Sequence, residues 1–404
     1  MARVRDCYNV ADLEKQARKR LPRPLYHYIA GGADDERTAS ANVHSFDRYQ
    51  LVPNYLHDIR TIDTRRKVLG RELAWPLFLA PTGMTRMFNR AGEVGVALEA
   101  AKSGVGYALS TMATTSIEDV GRATPGPKMF QLYLLNDDTI NFAMIDRCRE
   151  AGFDALCLTV DTVVAGNRER DLRTGLTVPP RLTPSSLLAF VAHPRWCFDY
   201  LRGGAFSLPN VGEKGGSSDL TTLTAYFAAK MERNITWSSV EKIAAYWGGP
   251  FAIKGIQSVR DTRLAASSGA TAVILSNHGG RQLDGVAPTI DLVADIADAV
   301  GDRVEIILDG GIRRGSHIVK ALAMGATACM TGRPYLYGLS AFGAVGVGRV
   351  LELLRTETER TLSLLGCASV DDLTREHLRF AAEVPGFLLD GDARASRAHL
   401  LKIL

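Results

Sequence analysis

The sequence predicts an α/β chain closed into a (β/α)8 TIM barrel, with a helical segment before it and a long insert after its fourth strand. Three observations carry this. From Trp75 onward, short apolar runs rich in β-branched residues alternate with amphipathic segments, the pattern of a parallel sheet covered by helices. Eight such units follow one another, which is the number that closes a barrel. Each strand candidate also ends in glycine or polar residues, as expected where a barrel gathers its reactive groups at the C-terminal strand ends.

The strands are expected at Leu77–Pro81, Val105–Leu109, Lys128–Tyr133, Ala155–Val160, Pro250–Lys254, Thr271–Ser276, Val304–Asp309 and Thr327–Thr331. Glu93–Ser103, Thr139–Ala151, Ser258–Ser268 and Ser316–Met324 are the helices that the spacing of apolar residues places between them. An open doubly wound sheet is the competing architecture. It would need a G-x-G-x-x-G after the first strand, where Ala80-Pro81-Thr82-Gly83 stands instead.

One domain is expected over 1–404, with the barrel at 75–340 and helices closing the chain over 341–404. Residues 1–70 form the N-terminal helical segment, with an amphipathic helix at Val10–Arg20, then Leu21-Pro22-Arg23-Pro24 and a second helix start. Nearly ninety residues separate the fourth and fifth strands, far more than an ordinary βα loop. Within them lies an inserted segment, 181–235, rich in Pro, Gly and Ser and including Gly215-Gly216-Ser217-Ser218. Its first half, Ser185–Tyr200, mixes Leu, Phe, Val, Trp and Tyr with Arg195. A lid over the barrel is the weightier reading, because long loops are commonly active-site covers. A membrane-surface contact through 185–215 is the sharper one.

Composition narrows the function classes. The 404 residues are 46% hydrophobic and 23% charged, with a net charge of only +4 and no long Lys/Arg block; nucleic-acid binding has no electrostatic footprint here. The six cysteines are scattered, without a C-x-x-C pair or metal-ligand spacing, which fits reduced thiols in the cytosol and no metal site. The start, M-A-R-V-R-D-C-Y-N-V, has no apolar core of a signal peptide. No apolar run approaches the roughly 20 residues that span a bilayer. A cytoplasmic protein is expected, peripheral on the inner face of the cell membrane if the insert is a contact.

The chemistry concentrates in Ser276-Asn277-His278-Gly279-Gly280-Arg281-Gln282-Leu283-Asp284-Gly285. An imidazole that titrates near neutral pH stands three residues from a guanidinium that can fork onto a carboxylate, on glycine-rich backbone that lets a ligand come close. A base beside a carboxylate clamp points to an acid attacked next to its carboxylate. A histidine in a strand-end loop is as often structural, so the other ends matter. They bring Pro81-Thr82-Gly83, Ser110-Thr111, Gln131-Leu132-Tyr133, Thr159-Val160-Asp161 with Gly166-Asn167-Arg168, and Lys254-Gly255. The last two ends, Asp309-Gly310-Gly311-Ile312-Arg313 and Thr331-Gly332-Arg333, stand where this fold binds phosphate on backbone N–H groups and a helix N-terminus. A phosphorylated cofactor or substrate beside a proton-transfer site follows.

The ordered motifs A-P-T-G (80–83), L-S-T (109–111), F-Q-L-Y (130–133), L-T-V-D (158–161), G-N-R-E-R-D (166–171), I-K-G (253–255), the 276–285 stretch, D-G-G-I-R-R-G (309–315) and G-R (332–333) resemble the FMN-dependent α-hydroxy-acid dehydrogenases and oxidases. The resemblance runs in order from L-P-R-P-L-Y-H-Y-I-A-G-G-A (21–33) to the G-R, nearly the whole chain. It implies FMN as cofactor, a small 2-hydroxy acid as substrate, and a homo-oligomer, by family habit a tetramer. His278 would be the catalytic base, with Asp161 pairing its imidazolium. Arg168 and Arg281 would hold the substrate carboxylate, and Tyr28 and Tyr133 its carboxylate or hydroxyl. Lys254 would sit by the flavin edge where charge accumulates. Pro81, Thr82, Gly83, Ser110, Gln131, Thr159 and Ser276 would line the isoalloxazine. Asp309, Gly310, Gly311, Ile312 and Arg313 would hold ribityl and phosphate, completed by Gly332 and Arg333. Departure of the electrons as hydride or through a carbanion is compatible with the same residues.

Within that family, Gly83 stands where the oxidases usually carry alanine and several dehydrogenases glycine. The long insert, with H-P-R-W-C-F-D-Y (193–200), resembles the membrane-associated bacterial L-lactate dehydrogenases, whereas G-N-R-E-R-D is equally like mandelate dehydrogenase. Met112 replaces a bulky aromatic of glycolate oxidase, leaving room for a side chain larger than hydrogen. The expectation is an L-lactate dehydrogenase with a quinone-type acceptor; a mandelate-type dehydrogenase or an oxidase using dioxygen is the alternative. A flavin-free phosphate-binding isomerase or aldolase with Lys254 as Schiff-base lysine, and a non-catalytic barrel, are the competing classes.

Overall fold

A computed structural model describes residues 3–177, 181–203, 206–211, 225 and 227–381. Eight parallel strands close into a barrel: β1 Leu77–Leu79, β2 Gly106–Ser110, β3 Lys128–Leu132, β4 Ala155–Thr159, β5 Phe251–Ile256, β6 Ala272–Leu275, β7 Glu305–Asp309 and β8 Ala328–Thr331. β8 pairs with β1, Met330 opposite Phe78, and β6 with β7, so the sheet has no edge. Each strand falls within a residue or two of its expected place.

Strands buried on both faces read as unbroken apolar runs, and the two faces divide as period-2 alternation dictates. Phe78, Ala108, Met129, Cys157, Ala252, Ile274, Ile307 and Met330 pack together inside the barrel. Leu79, Leu109, Leu158, Ile253, Leu275 and Leu308 join the outer layer that the helices cover. Gly106 has a packing reason: a Cβ there would lie 2.1 Å from the Phe78 ring. Val68, Leu69 and Leu73, on a hairpin of Arg66–Val68 with Arg71–Leu73, belong to the inner cluster. Leu69 N donates to Glu305 at the start of β7, so the hairpin plugs the end of the barrel away from the reactive strand ends.

The N-terminal segment holds three helices, Val10–Arg20, Arg23–Ala30 and Arg37–His44. Asn9 caps the first by accepting from Asp12 N. A strand at Tyr49–Leu51 pairs antiparallel with Leu378–Phe380, so the chain after helix Ala344–Leu365 is not helical throughout as the sequence suggested. Three-residue strands are too short to show a period. Residues 382–404 of the expected C-terminal helices lie outside the described residues.

The first half of the insert forms helices Pro184–Val191 and Pro194–Leu201. The first is capped by Thr183, which accepts from Ser186 N. One side of the pair is fastened down: Trp196 Nε1 donates to Met87 O at 2.9 Å, and Asp199 pairs with Arg20. The other side leaves Leu188, Val191 and Leu201 more than two-thirds exposed. The Gly215–Ser218 run and the rest of 212–224 lie outside the described residues. Among those described, no helix is long and apolar enough to cross a membrane.

Candidate active site

The strand ends converge on one cavity of about 540 Å³. At its floor lies a buried triangle: Lys254 Nζ is 2.8 Å from Asp309 Oδ2 and donates to Ser276 Oγ at 2.9 Å, and Ser276 Oγ donates to Asp309 at 2.9 Å. Burial works to discharge Lys254, but Asp309 and Asp161 outweigh it and hold its pKa above the usual lysine value. A Schiff-base lysine must be a neutral amine to attack. Lys254 is a locked cation.

Around the triangle the barrel offers unused hydrogen-bonding groups. Gln131 Nε2 and Thr159 Oγ1, at the ends of β3 and β4, are buried without a protein partner. Such groups are costly unless a ligand satisfies them. Ser110 Oγ donates to Gln131 Oε1 and so turns the Gln131 amide N–H2 outward from that contact. After β7, Gly310 at φ 130° and Gly311 at φ 74° give backbone that only glycine adopts without strain. Arg313 and Arg333 stand at the same end of the cavity. Arg333 spends three donors on the carbonyls of Ile29, Gly279 and Gly31. Burial pulls its pKa down to about 10, which marks a site that an anion would relieve. Orphan amide and hydroxyl at the floor, and glycine backbone with two arginines at the rim, fit a flavin ring and its phosphate.

Against this stands the proton-transfer group. His278 Nδ1 lies 3.1 and 3.3 Å from the two carboxylate oxygens of Asp161, which leaves Nε2 for the cavity that His278 lines. Burial opposes the Asp161 carboxylate, yet His278 and Lys254 hold its pKa below the ordinary value. His278 itself is left-handed, φ 57°, a conformation that non-glycine residues keep only when their surroundings impose it. Arg168 and Arg281 flank the Tyr28 ring, their guanidinium carbons 5.5 and 4.9 Å from its centroid. Arg281 Nη1 donates to Tyr28 O at 2.6 Å and Gly31 O at 3.1 Å. Burial lowers the Arg281 pKa, and Arg168 adds to this, against the opposite pull of Tyr28 and Asp171. The Tyr133 hydroxyl is kept protonated by burial and then by Asp161.

All the residues singled out from sequence therefore gather at one barrel mouth. Others were missed. Asp171, in the same G-N-R-E-R-D motif, is buried in the cavity wall 3.5 Å from Arg168; its spacing of three from an arginine was the available signal. Gln282 donates to Asp161 O and Val164 O and accepts from Gly166 N, tying the β4 and β6 loops together. The end of the insert, Phe227 to Arg233, lines the cavity, whereas helices 184–191 and 194–201 do not. Among the described residues of the insert, the later part thus borders the cavity and the apolar first half does not.

One barrel mouth thus gathers a histidine–carboxylate pair, two arginines about a tyrosine ring, and glycine-rich backbone beside two more arginines. The chain matches the FMN-dependent dehydrogenase family over residues 17–380, and it belongs to that family. It is 38% identical to a putative L-lactate dehydrogenase of Mycobacterium tuberculosis, over 91% of this chain and 88% of that protein. It is 36% identical to glycolate oxidase 3 of Oryza sativa subsp. indica, over 92% and 95%. Among solved structures, the monotopic membrane protein (S)-mandelate dehydrogenase superposes with a TM-score of 0.89 at 35% identity, covering 93% of this chain and 100% of that one. FMN is the cofactor and the oxidation of an α-hydroxy acid the chemistry. The flavin-free isomerase or aldolase and the non-catalytic barrel fall away.

Proposed function

We propose that the protein dehydrogenates an L-2-hydroxy acid to the 2-oxo acid and hands the electrons to a quinone-type acceptor. The observation that carries this is the His278–Asp161 pair sharing one cavity with Arg168 and Arg281. The two arginines bind the substrate carboxylate, and Tyr28 and Tyr133 align its oxygens. His278 accepts one proton from the substrate at Nε2 while Asp161 stays ionised and stabilises the imidazolium. FMN, when bound, supplies the two-electron acceptor. Lys254 places a fixed positive charge where negative charge develops. Pro81, Thr82, Gly83, Ser110, Gln131, Thr159 and Ser276 border the ring, Asp309 to Arg313 the ribityl and phosphate, and Gly332 and Arg333 the phosphate.

For the substrate, the cavity wall favours an apolar side chain larger than the methyl of lactate. Met112, Phe88, Phe227 and Met231 line the cavity, which also takes the FMN, and these apolar side chains support a substrate group larger than one methyl. A mandelate-type acid is therefore the leading reading, supported by the likeness to (S)-mandelate dehydrogenase. The expected lactate-type substrate is second, supported by the relative named L-lactate dehydrogenase. For the acceptor, Gly83 argues for a dehydrogenase. The same reading has the exposed apolar side of helices 184–191 and 194–201 resting on the inner membrane surface, and the protein as a homotetramer.

The test is anaerobic mixing of the purified yellow protein with a panel of 2-hydroxy acids, then re-mixing with quinone, dye or air-saturated buffer. Flavin bleaching fastest with mandelate and reoxidation by quinone far faster than by dioxygen are expected. No bleaching by any 2-hydroxy acid overturns the reading; rapid reoxidation by air overturns the dehydrogenase part.

A further inference from the structure

We propose that Asn42, on the helix Arg37–His44, is a positioning residue for His278, acting through Asn277 to lock the left-handed turn that carries the base. The inference rests on the proton-transfer role assigned to His278 above.

Three consecutive residues, His278, Gly279 and Gly280, have φ of 57°, 65° and 73°. For the histidine this is strained backbone, so something outside the turn must hold it there. Asn277 is the residue before it, and its amide is fully engaged. Oδ1 accepts from Asn42 Nδ2 at 2.8 Å and from Gly280 N at 3.1 Å; Nδ2 donates to Asn42 Oδ1 at 2.9 Å and to Ala287 O at 3.2 Å. Gly280 N also donates to Asn277 O at 3.0 Å, which closes the turn. The two amides thus form a reciprocal pair, both 2% exposed, in which rotating either would set oxygen against oxygen, and rotating Asn277 would also take its side-chain acceptor away from Gly280 N. Asn42, with Ala287 O, holds the Asn277 amide in the direction that adds a side-chain acceptor for Gly280 N to the backbone bond closing the turn.

The helix is built to hold this register. Asp284, at the far end of the same loop, caps it by accepting from Arg37 N and Thr38 N at 3.2 and 2.7 Å. Ala33 N donates to Gly280 O at 2.8 Å. A Cβ at Gly280 would fall 2.4 Å from Ala39 N, and one at Gly311 would fall 1.8 Å from Asn42 O. The helix therefore touches the backbone of the β6 and β7 loops directly, and no side chain intervenes that could absorb a shift. A displacement near 1 Å at a reacting group costs on the order of 10²-fold in rate.

The test measures anaerobic flavin reduction per bound flavin at saturating substrate in Asn42→Ala, Asn42→Asp, His278→Ala and the Asn42→Ala/His278→Ala double variant. Asn42→Asp keeps the shape but sets a carboxylate oxygen against Asn277 Oδ1, and it stands in if Asn42→Ala is not recovered folded. The expected result is a loss of roughly 10- to 100-fold in either Asn42 variant with FMN still bound, and no further loss when Asn42→Ala is added to His278→Ala. A merely structural role would lower thermal stability or FMN content and leave the rate per bound flavin unchanged; that result overturns the proposal. Equal fractional losses with and without His278 also overturn it. If His278→Ala itself reduces flavin at the normal rate, the fault lies with the assignment of the base and not with Asn42 alone.

Discussion

Replacing Asp161 by Asn isolates a charge without changing a shape. The asparagine oxygen can still accept from His278 Nδ1, so the ring keeps its tautomer and direction; what disappears is the negative charge now 3.1 Å from that nitrogen. Two unit charges about 4 Å apart at an effective dielectric near 20 interact by about 4 kcal/mol. The histidine side chain is 25% exposed, so solvent takes part of this, and the measured range for hydrogen bonds to charged groups, about 1.5–3 kcal/mol, is the better guide. That energy is present only once the imidazole has taken a proton, so it belongs to the transition state and not to the resting enzyme. At about 1.4 kcal/mol per decade, flavin reduction in Asp161→Asn should slow by roughly 10- to 150-fold. Substrate affinity should change little, because Arg168 and Arg281 remain. Stopped-flow reduction under anaerobic conditions, over a range of substrate concentrations, separates the two quantities. A rate within twofold of the wild type would refute the reasoning, as would an effect confined to substrate affinity.

Arg281→Lys should weaken substrate binding more than it slows saturated reduction, since an ammonium cannot reproduce the planar fork on a carboxylate; the Arg168/Arg281 double variant should lose more, and unchanged saturation in it would exclude both as the clamp. Gly83→Ala would put a Cβ 2.9 Å from Met112 Cβ, so Met112 must give way; faster reoxidation by dioxygen and altered discrimination between mandelate and lactate are expected, and identical reoxidation and selectivity would remove Gly83 from the argument. His317, stacked on Phe46 at 4.3 Å beside the Gly311 loop, is held neutral by burial, its pKa pushed down from 6.5 to about 4. The unfolded chain therefore binds a proton that the folded one refuses, so stability is full above pH 6.5 and falls as the pH drops toward 4, by about 3 kcal/mol. Melting at pH 7 and pH 5 should show a smaller fall in His317→Phe than in the wild type, and parallel falls would refute this.

The barrel was legible because each of its strands is buried on both faces and reads as an apolar run with a polar end. The reactive residues were legible for a related reason: strand ends are adjacent in space whatever their distance in sequence, so His278, Asp161 and Lys254 could be brought together from the fold alone. What stayed hidden has contacts that no local pattern encodes. Glu93 looks like an acid in the first turn of an exposed helix, yet it is fully buried and accepts from Thr85 N, Thr114 N and the hydroxyls of Thr114 and Thr115. It ties the β1 and β2 loops that carry Gly83 and Met112. Tyr335 would pass for helix core, yet its hydroxyl meets Thr82 Oγ1 at 2.6 Å and donates to Ala80 O. The insert was legible as an insert but not in its division of labour: 227–233, with Lys230, Glu232 and Arg233, reads as a solvated stretch yet borders the cavity, while the more apolar 184–201 does not.

The cavity carries a charge that the whole chain does not. Across all 404 residues the net charge is +4, but the cavity is lined by Arg168, Arg233, Lys254, Arg281, Arg313 and Arg333 against Asp171 and Asp309, with Asp161 just behind His278. Lys254 is neutralised in place by Asp309, and Asp171 partly balances Arg168. Asp171 acts on Arg281 as well, and the remaining excess is Arg281 at the end by the base, Arg313 with Arg333 at the end by the glycine loop, and Arg233 on the last part of the insert. Burial draws down the pKa values of Arg281 and Arg333, and the neighbouring arginines add to it. An anion at each end would reverse that, and the two anions this chemistry brings are a substrate carboxylate and a cofactor phosphate. The excess positive charge thus lies where the proposed reading puts the substrate carboxylate and the cofactor phosphate. On that reading, an anion bound at either end offsets the burial and crowding of these arginines.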